Sequence, residues 1–250
     1  SVLTTFALSF ERLEPPHPLA ADILRLCAFF HPDSIPEEFL TGPSHETQVA
    51  LDDAIVALRH ASLLHRNSET RILTIHRLVQ AVLQDQMDEQ TQRVWAERAI
   101  GVVSEMFPDV ELLHTWSQCQ RYLPHAHVCI GFIEQWSLTS PQALQLLTRT
   151  SAYLREQAQE AQADLLSELV ASIRQQSSEP LAPDIIMDFF SFMRHTYYQG
   201  KYHAESDLIQ EKVARLEQVL GPDHQDRIYL LIGQAFFLQM EGMYIQAEAL

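Results

Sequence analysis

The chain has 250 residues and a formal net charge of −16, with 46% apolar and 20% charged residues. This length fits two modest domains. The longest apolar stretch, residues 20–30, is interrupted by Asp22 and Arg25 and falls short of the roughly 18 residues that a membrane span needs. The composition therefore predicts a soluble, globular protein with no membrane partner.

The acidic residues are spread along the chain, and no Lys/Arg-rich tract interrupts them. The negative electrostatic field of these residues repels phosphate backbones, so nucleic acid is not an expected partner. The three cysteines, Cys27, Cys119 and Cys129, form no CxxC pair. Neither a disulfide framework nor a metal site is implied, and we expect a protein of the reducing cytoplasm.

Both ends of the sequence look like cuts within a longer polypeptide. The chain begins with Ser1-Val2 and stops at Leu250 inside a helical pattern. It also lacks the basic segment and apolar segment of a signal peptide. We therefore expect further domains of the same protein outside these residues.

The first part of the chain has the element order of a winged-helix fold. A helical apolar pattern begins at Pro18 and is predicted to end at His31-Pro32, a short segment follows at residues 35–40, and a second helix is predicted at residues 51–62. Residues 63–66 and 71–75 are predicted strands joined by a turn, because the second segment is rich in β-branched residues. His76 then begins a closing helix. We place this winged-helix-like module, with its small β-hairpin, at residues 1–90.

Strand signals end after this module. Three helical faces follow, of which the first is predicted to stop at Pro108 and the second at Pro124, while the third covers residues 125–136. We interpret residues 91–142 as a helical linker.

A 42-residue interval is the clearest internal repeat. Gly200 and Leu208 recur as Gly242 and Leu250, and the same interval back from Gly200 and Leu208 reaches Ala158 and Leu166. Repeats of this length indicate stacked supersecondary units. In the last copy, glycine permits a tight turn between two helices. The pattern predicts an α-solenoid over residues 143–250, so the expected fold class is mainly α.

Two motifs resemble a known repeat family: Leu220-Gly221-Pro222-Asp223-His224 and Gly242-x-Tyr244-x-x-Ala247-Glu248-x-Leu250. Together they resemble the 42-residue tetratricopeptide (TPR) repeats of kinesin-light-chain type. The resemblance covers about residues 143–250 and implies helix pairs that stack into a superhelix with one concave face. It implies a protein or peptide ligand on that face.

The first part of the chain also resembles a known family, through Leu8-Ser9-Phe10-Glu11-Arg12-Leu13, Cys27-Ala28-Phe29-Phe30 and Ile75-His76-Arg77-Leu78-Val79-Gln80. These segments resemble the winged-helix end of NB-ARC-type STAND ATPases. Residues 116–125 are similar to the linker that joins such ATPases to TPR arrays in bacteria. The resemblance implies that His76 lies beside the nucleotide phosphates of the ADP-bound, inactive state. Ile75 and Arg77 flank it where the family motif has Met and Asp.

The chain contains no catalytic motif of its own. No G-x-x-x-x-G-K-[ST] loop, G-x-S-x-G elbow or paired-carboxylate site occurs in the sequence. We therefore expect no enzyme activity and no cofactor in these residues. The resemblance implies ADP or ATP with Mg in an upstream ATPase domain of the parent chain.

Two other interpretations of the first module stay open. His76 is also explained as a residue at a helix start whose ring bonds to the nearby backbone. Residues 52–64 occupy the place of a recognition helix, but only Arg59 and His60 there suit contacts to DNA, so packing against other domains is the better account.

The repeat phase predicts a partner-binding groove in the second half of the chain. Aromatic and arginine side chains suit a protein partner, because they combine large contact area with directional bonding. The chain is thus expected to be the regulatory and sensor part of a STAND-type ATPase; the alternative is a TPR scaffold with no nucleotide dependence. The predicted groove residues are Phe190, Arg194, Tyr197, Tyr229, Phe236 and Gln239.

Overall fold

The structure is a computed structural model that describes residues 2–41, 48–109, 115–177, 206–220, 227–240 and 242–248, together with residues 189, 193 and 196. The chain divides into two compact units, Ser1–Leu146 and Leu147–Leu250. The described residues are mainly helical with one small antiparallel sheet, which confirms the predicted fold class. Within these ranges, no helix combines the length and the apolar character of a bilayer span.

The first unit contains six helices and three strands among its described residues, and a seventh helix crosses into the second unit. The helices are α1 (Val2–Leu13), α2 (Pro18–Cys27), α3 (Gln48–His60), α4 (Arg77–Asp85), α5 (Glu89–Met106), α6 (Trp116–Trp136) and α7 (Pro141–Glu156). The strands are β1 (Ile35–Pro36), β2 (Leu64–Asn67) and β3 (Ile72–Ile75), and a 3-10 helix, Glu37–Leu40, follows β1.

The sheet has β3 at its centre, with β1 and β2 both antiparallel to it. The predicted hairpin is therefore confirmed, with its strands at slightly different bounds. β1 was not predicted, because two residues with a proline carry no periodicity of their own. Side chains alternate between faces along each strand, so Leu73 and Ile75 are buried while the cross-strand pair His65 and Thr74 lies on the outer face.

The first helix predicted from the apolar pattern is shorter than expected. α2 ends at Cys27, and the amide of Phe29 donates to the carbonyl of Leu26 as the chain turns. Phe30 is nevertheless buried, together with Phe29. The apolar spacing correctly predicted that Phe30 is buried, but it placed the end of the helix too late. Apolar residues in a buried turn look the same in the sequence as apolar residues on a buried helix face.

Pro124 does not separate two helices, so this prediction was wrong. α6 runs for 21 residues from Trp116 to Trp136 with Pro124 inside it. An internal proline removes one backbone hydrogen bond and costs about 3 kcal/mol. The continuous inner face of α6, which buries Tyr122, His125 and Cys129, offsets that cost.

The second unit consists of helices joined by turns in its described residues. Its helices after α7 are α8 (Glu160–Ser177), α9 (Ser206–Leu220), α10 (Arg227–Met240) and α11 (Tyr244–Glu248). One apolar cluster packs Phe189, Met193, Ile209, Val213, Leu230 and Phe237 together.

A charge network also lies inside the second unit. The guanidinium of Arg155, only 2% exposed, contacts Asp164 at 3.1 Å, and Lys212 contacts the same carboxylate at 2.9 Å. Burial opposes ionisation of Asp164, but Lys212 and Arg155 outweigh it and lower the pKa of this carboxyl group. The network ties α7, α8 and α9 to one another.

Two positions of the predicted repeat share a backbone conformation. Ala158 and Gly242 both have positive φ, at 58° and 78°. The aligned leucines differ, because Leu166 is buried and Leu208 is exposed. Gly200 lies outside the described residues, and the TPR assignment stays a prediction.

Candidate functional site

A cavity of about 630 Å³ lies beside His76, between the end of α3 and the outer face of the sheet. α3 contributes residues from its last two turns, and the hairpin contributes residues from β2, β3 and the position after β3. We call this cavity the histidine groove. Its lining consists of Val56, Arg59, His60, Ser62, Leu63, Leu64, His65, Thr74 and His76.

The local fold explains why these residues meet. α3 ends in a left-handed residue, Ser62 with φ 58°, and the amide of Leu63 donates back to the carbonyl of Leu58 at 3.0 Å. This ending turns the chain directly into β2. The register then pairs His65 with Thr74 across the hairpin.

His76 occupies the junction between β3 and α4. It is the N-cap residue of α4, with extended backbone, and its Nδ1 accepts a hydrogen bond from the amide of Leu78 at 3.1 Å. An accepting Nδ1 carries no proton, so the neutral ring has its proton on Nε2. The structural interpretation of His76 as a helix-start residue is therefore confirmed, and its role as a phosphate sensor stays a prediction.

The groove differs in charge from the rest of the chain. Among the described residues that line it there are Arg59 and three histidines, and no carboxylate, whereas the whole chain carries a formal charge of −16. Guanidinium and imidazole N–H groups donate to phosphate and carboxylate oxygens. This lining therefore suits an anionic group.

A second cavity, of about 660 Å³, lies on the other side of the exposed face of α3. It shares Val56 and His60 with the histidine groove, and its lining includes Arg12 and His17 from the α1 region and Asp53 from α3. The two cavities thus flank one exposed strip of α3.

The sequence identified part of this site. His76 came from the family resemblance, and Arg59 and His60 were weighed only as contacts to DNA. His65 was missed, although its alternation with the buried Leu64 in a predicted strand was the available signal. These four residues lie around one cavity because α3 packs against the hairpin, and the spacing of residues in the sequence does not reveal that packing.

The partner groove predicted for the repeats falls partly outside the described structure. Phe190, Arg194 and Tyr197 lie outside the described residues, as does the side chain of Tyr229 in α10. Phe236 and Gln239 lie on α10, and both side chains are exposed.

α10 also exposes two isoleucines on the same face as Phe236. Ile228 is 60% exposed and Ile232 is 53% exposed, and spacings of four residues place all three side chains on one side of a helix. The opposite side carries Leu230 and Phe237 in the apolar cluster. The sequence prediction named Phe236 and missed both isoleucines.

The cysteines do not form a reactive site. Cys27, Cys119 and Cys129 are all buried and free, and burial raises the pKa of the Cys27 thiol to about 12. The thiolate is the reactive form of cysteine, so these side chains serve packing. Within the described residues, no three His, Cys, Asp or Glu side chains are grouped to hold a metal ion.

Comparison with known proteins gives one family match. Residues 8–92 match the model of a family described as Domain of unknown function (DUF7779). The match begins within α1, ends within the first turn of α5 and includes every residue of the histidine groove. No curated protein and no solved structure matches the chain.

Proposed function

We propose that this chain is the regulatory and sensor part of a cytoplasmic STAND-type signalling ATPase. In this proposal the first unit holds an upstream ATPase domain in its ADP-bound state, and the helical repeats bind a protein or peptide trigger. The observation that carries the proposal is the position of His76, which lines the histidine groove at the junction of β3 and α4.

The chemistry of the groove supports contact with phosphate. Arg59, His60 and His65 lie around the same cavity as His76. A phosphate group held by the upstream domain would meet these donors where the lining has no carboxylate to repel it. Magnesium and the nucleotide would belong to the upstream domain, and this chain would contribute side chains to the closed state.

Release of the closed state requires a difference in affinity. A trigger that binds the open and closed states equally well shifts no population, however tightly it binds. The trigger must therefore favour the open arrangement. The exposed face of α10, with Phe236 and Gln239, supports a contact surface for such a trigger.

The nucleotide that co-purifies with the full-length protein tests the proposal. The protein is denatured, and the released nucleotide is measured by chromatography for the natural sequence, His76→Gln and His17→Gln. We expect ADP with the natural protein and with His17→Gln, because His17 is an exposed histidine outside the histidine groove. His76→Gln is expected to lose ADP or to be active without a trigger.

A TPR scaffold without nucleotide dependence is the second candidate. It is favoured by the exposed apolar side chains of Ile228, Ile232 and Phe236 on one face of α10, since exposed apolar patches often mark protein contacts. If no variant and no natural protein carries nucleotide, the switch proposal fails and the scaffold is retained.

A further inference from the structure

Residues 31–39 lie between α6 and the hairpin formed by β2 and β3, and they contact both. We call these residues the coupling segment. It contains β1 and most of the 3-10 helix, and its side chains Ile35, Glu37 and Phe39 are buried. Because it is packed on two sides, a displacement of either neighbour must move it or strain it.

On the α6 side, the contacts are made by consecutive turns of the helix. The hydroxyl of Tyr122 donates to Glu38 Oε1 at 2.9 Å, and Arg121 pairs with the same carboxylate at 2.9 Å. The ring of Tyr122 packs on Phe39, and His125 Nε2 donates to the carbonyl of Ser34 at 3.1 Å. Side chains of α6 thus hold the coupling segment near its middle, at Ser34, and at its C-terminal end, at Glu38 and Phe39.

On the sheet side, the coupling segment is bound through its backbone. β1 pairs with β3, the amide of Glu37 donates to the carbonyl of Arg71 at 3.1 Å, and the amide of Ile75 donates to the carbonyl of Pro32 at 3.0 Å. Ile75 is the last residue of β3 and directly precedes His76. The position of His76 therefore depends on the coupling segment.

The two adjacent glutamates face opposite ways. Glu37 is 1% exposed and receives hydrogen bonds from Arg66 and Arg71 of the hairpin, whereas Glu38 receives those from α6. One planar peptide unit joins Glu37 to Glu38, so a displacement of Glu38 also displaces the backbone of Glu37. A shift of α6 is thereby transmitted to the hairpin.

We propose that Tyr122 and His125 of α6 are positioning residues for His76, acting through the coupling segment. Through these contacts, a change in the position of α6 would alter the histidine groove without a ligand in the groove itself. In the chain, α6 directly precedes α7, the helix that enters the second unit. The consequence for nucleotide rests on the proposed function, but the mechanical coupling does not.

The test uses the 250-residue chain and two NMR readouts: the ring resonance of His76 and the hydrogen exchange of the Ile75 amide. Tyr122→Phe removes the hydroxyl that donates to Glu38 and accepts from Gln118 Nε2. We expect Ile75 to exchange about fivefold faster, as for the loss of one hydrogen bond of typical net strength, while the amide of Val103 in α5 keeps its rate. The His76 resonance should shift. Gln120→Ala, on the exposed side of α6, is the matched control and should change neither readout.

A double-mutant cycle isolates the route through Glu38. In a Glu38→Ala background, Tyr122→Phe should have no further effect on Ile75 or His76. The proposal is overturned if Tyr122→Phe leaves both readouts unchanged in the folded chain, or if its effect is the same with and without Glu38. Nucleotide is absent from this experiment, so its failure is distinct from the absence of ADP in the full-length protein.

Discussion

Ala158 and Gly242 end their helices in the same left-handed conformation, at twice the 42-residue interval of the sequence repeat. After each of them, the next amide donates to the carbonyl five residues back, at 2.9 Å and 2.8 Å. This bond closes the C-terminus of a helix. Glycine adopts the conformation without strain, whereas alanine brings its Cβ close to the following carbonyl oxygen, at a cost of about 1–2 kcal/mol.

Replacing Ala158 by glycine is therefore expected to stabilise the second unit. The relief of strain exceeds the added entropy of the unfolded chain, and we expect a gain of about 0.5 kcal/mol in the free energy of unfolding. Gly242→Ala should lower it by a similar amount. An added Cβ at Gly242 meets no atom within 4 Å, so the loss is conformational. Calorimetry of the thermal transition gives the measurement.

Ala161→Gly is the control for that prediction. Ala161 is an exposed residue in the first turn of α8, where glycine costs up to about 1 kcal/mol, the value for a helix interior, relative to alanine. Opposite signs at the two positions are expected. Destabilisation by both changes would contradict the strain argument.

The carboxylate of Glu37 is expected to be essential for the stability of the first unit. It lies between Arg66 and Arg71, and its hydrogen bond raises the pKa of Arg66. Glu37→Gln removes one of the two carboxylates that pair with Arg66, the other being Asp52 at 3.0 Å. Loss of a hydrogen bond to a charged group costs about 2 kcal/mol, and we expect that decrease in the free energy of unfolding.

Urea unfolding followed by tryptophan fluorescence measures this loss, because all three tryptophans lie in the first unit. Glu69→Gln, at the exposed turn of the hairpin, should leave the midpoint nearly unchanged. Equal midpoints for the two variants would show that Glu37 contributes no more than a surface carboxylate.

The sequence predictions were correct where a structure depends on nearby residues and wrong where it depends on contacts between distant parts of the chain. The hairpin was predicted because its turn and β-branched residues are local signals. β1 was missed, since two residues become a strand only by pairing with β3. Pro124 was read as a helix end because the local rule is strong, whereas the buried face of α6 is a tertiary property.

In the candidate site, too, the sequence predicted a single residue but not the neighbours that tertiary packing brings to it. The sequence pointed to His76, but its neighbours Arg59 and His65 come from a helix end and from another strand. The contacts of Glu38 with α6 link residues that are far apart in the chain, and no spacing rule predicts them. On α10, the repeat phase gave Phe236 and Gln239 but not the exposed isoleucines.

The thiols of the folded chain are expected to resist modification. All three cysteines are buried, and a thiol whose pKa is raised supplies little of the reactive thiolate. A disulfide reagent at neutral pH should label none of them rapidly in the native chain and all three after denaturation in guanidinium. Rapid labelling of one thiol per chain in the native protein would show that the cysteine concerned is not buried.

His125 should make the stability of the first unit depend on pH. Its Nε2 donates to the carbonyl of Ser34, and its ring lies against Phe30 and Phe39. Burial lowers the pKa of this imidazole from 6.5 to about 4, with further lowering from the charges of His31 and Arg121. The folded chain therefore keeps His125 neutral over a range in which the unfolded chain binds a proton.

The sign of the effect follows from this difference in proton binding. The contribution of His125 is complete above the unfolded pKa of 6.5 and is lost as pH falls toward about 4, by up to about 3 kcal/mol. Urea unfolding at a series of pH values should show a flatter profile for His125→Gln than for the natural chain. His17→Gln, which changes an exposed histidine, should keep the natural slope. Identical slopes for the natural chain and His125→Gln would mean that His125 takes up its proton without resistance from the fold.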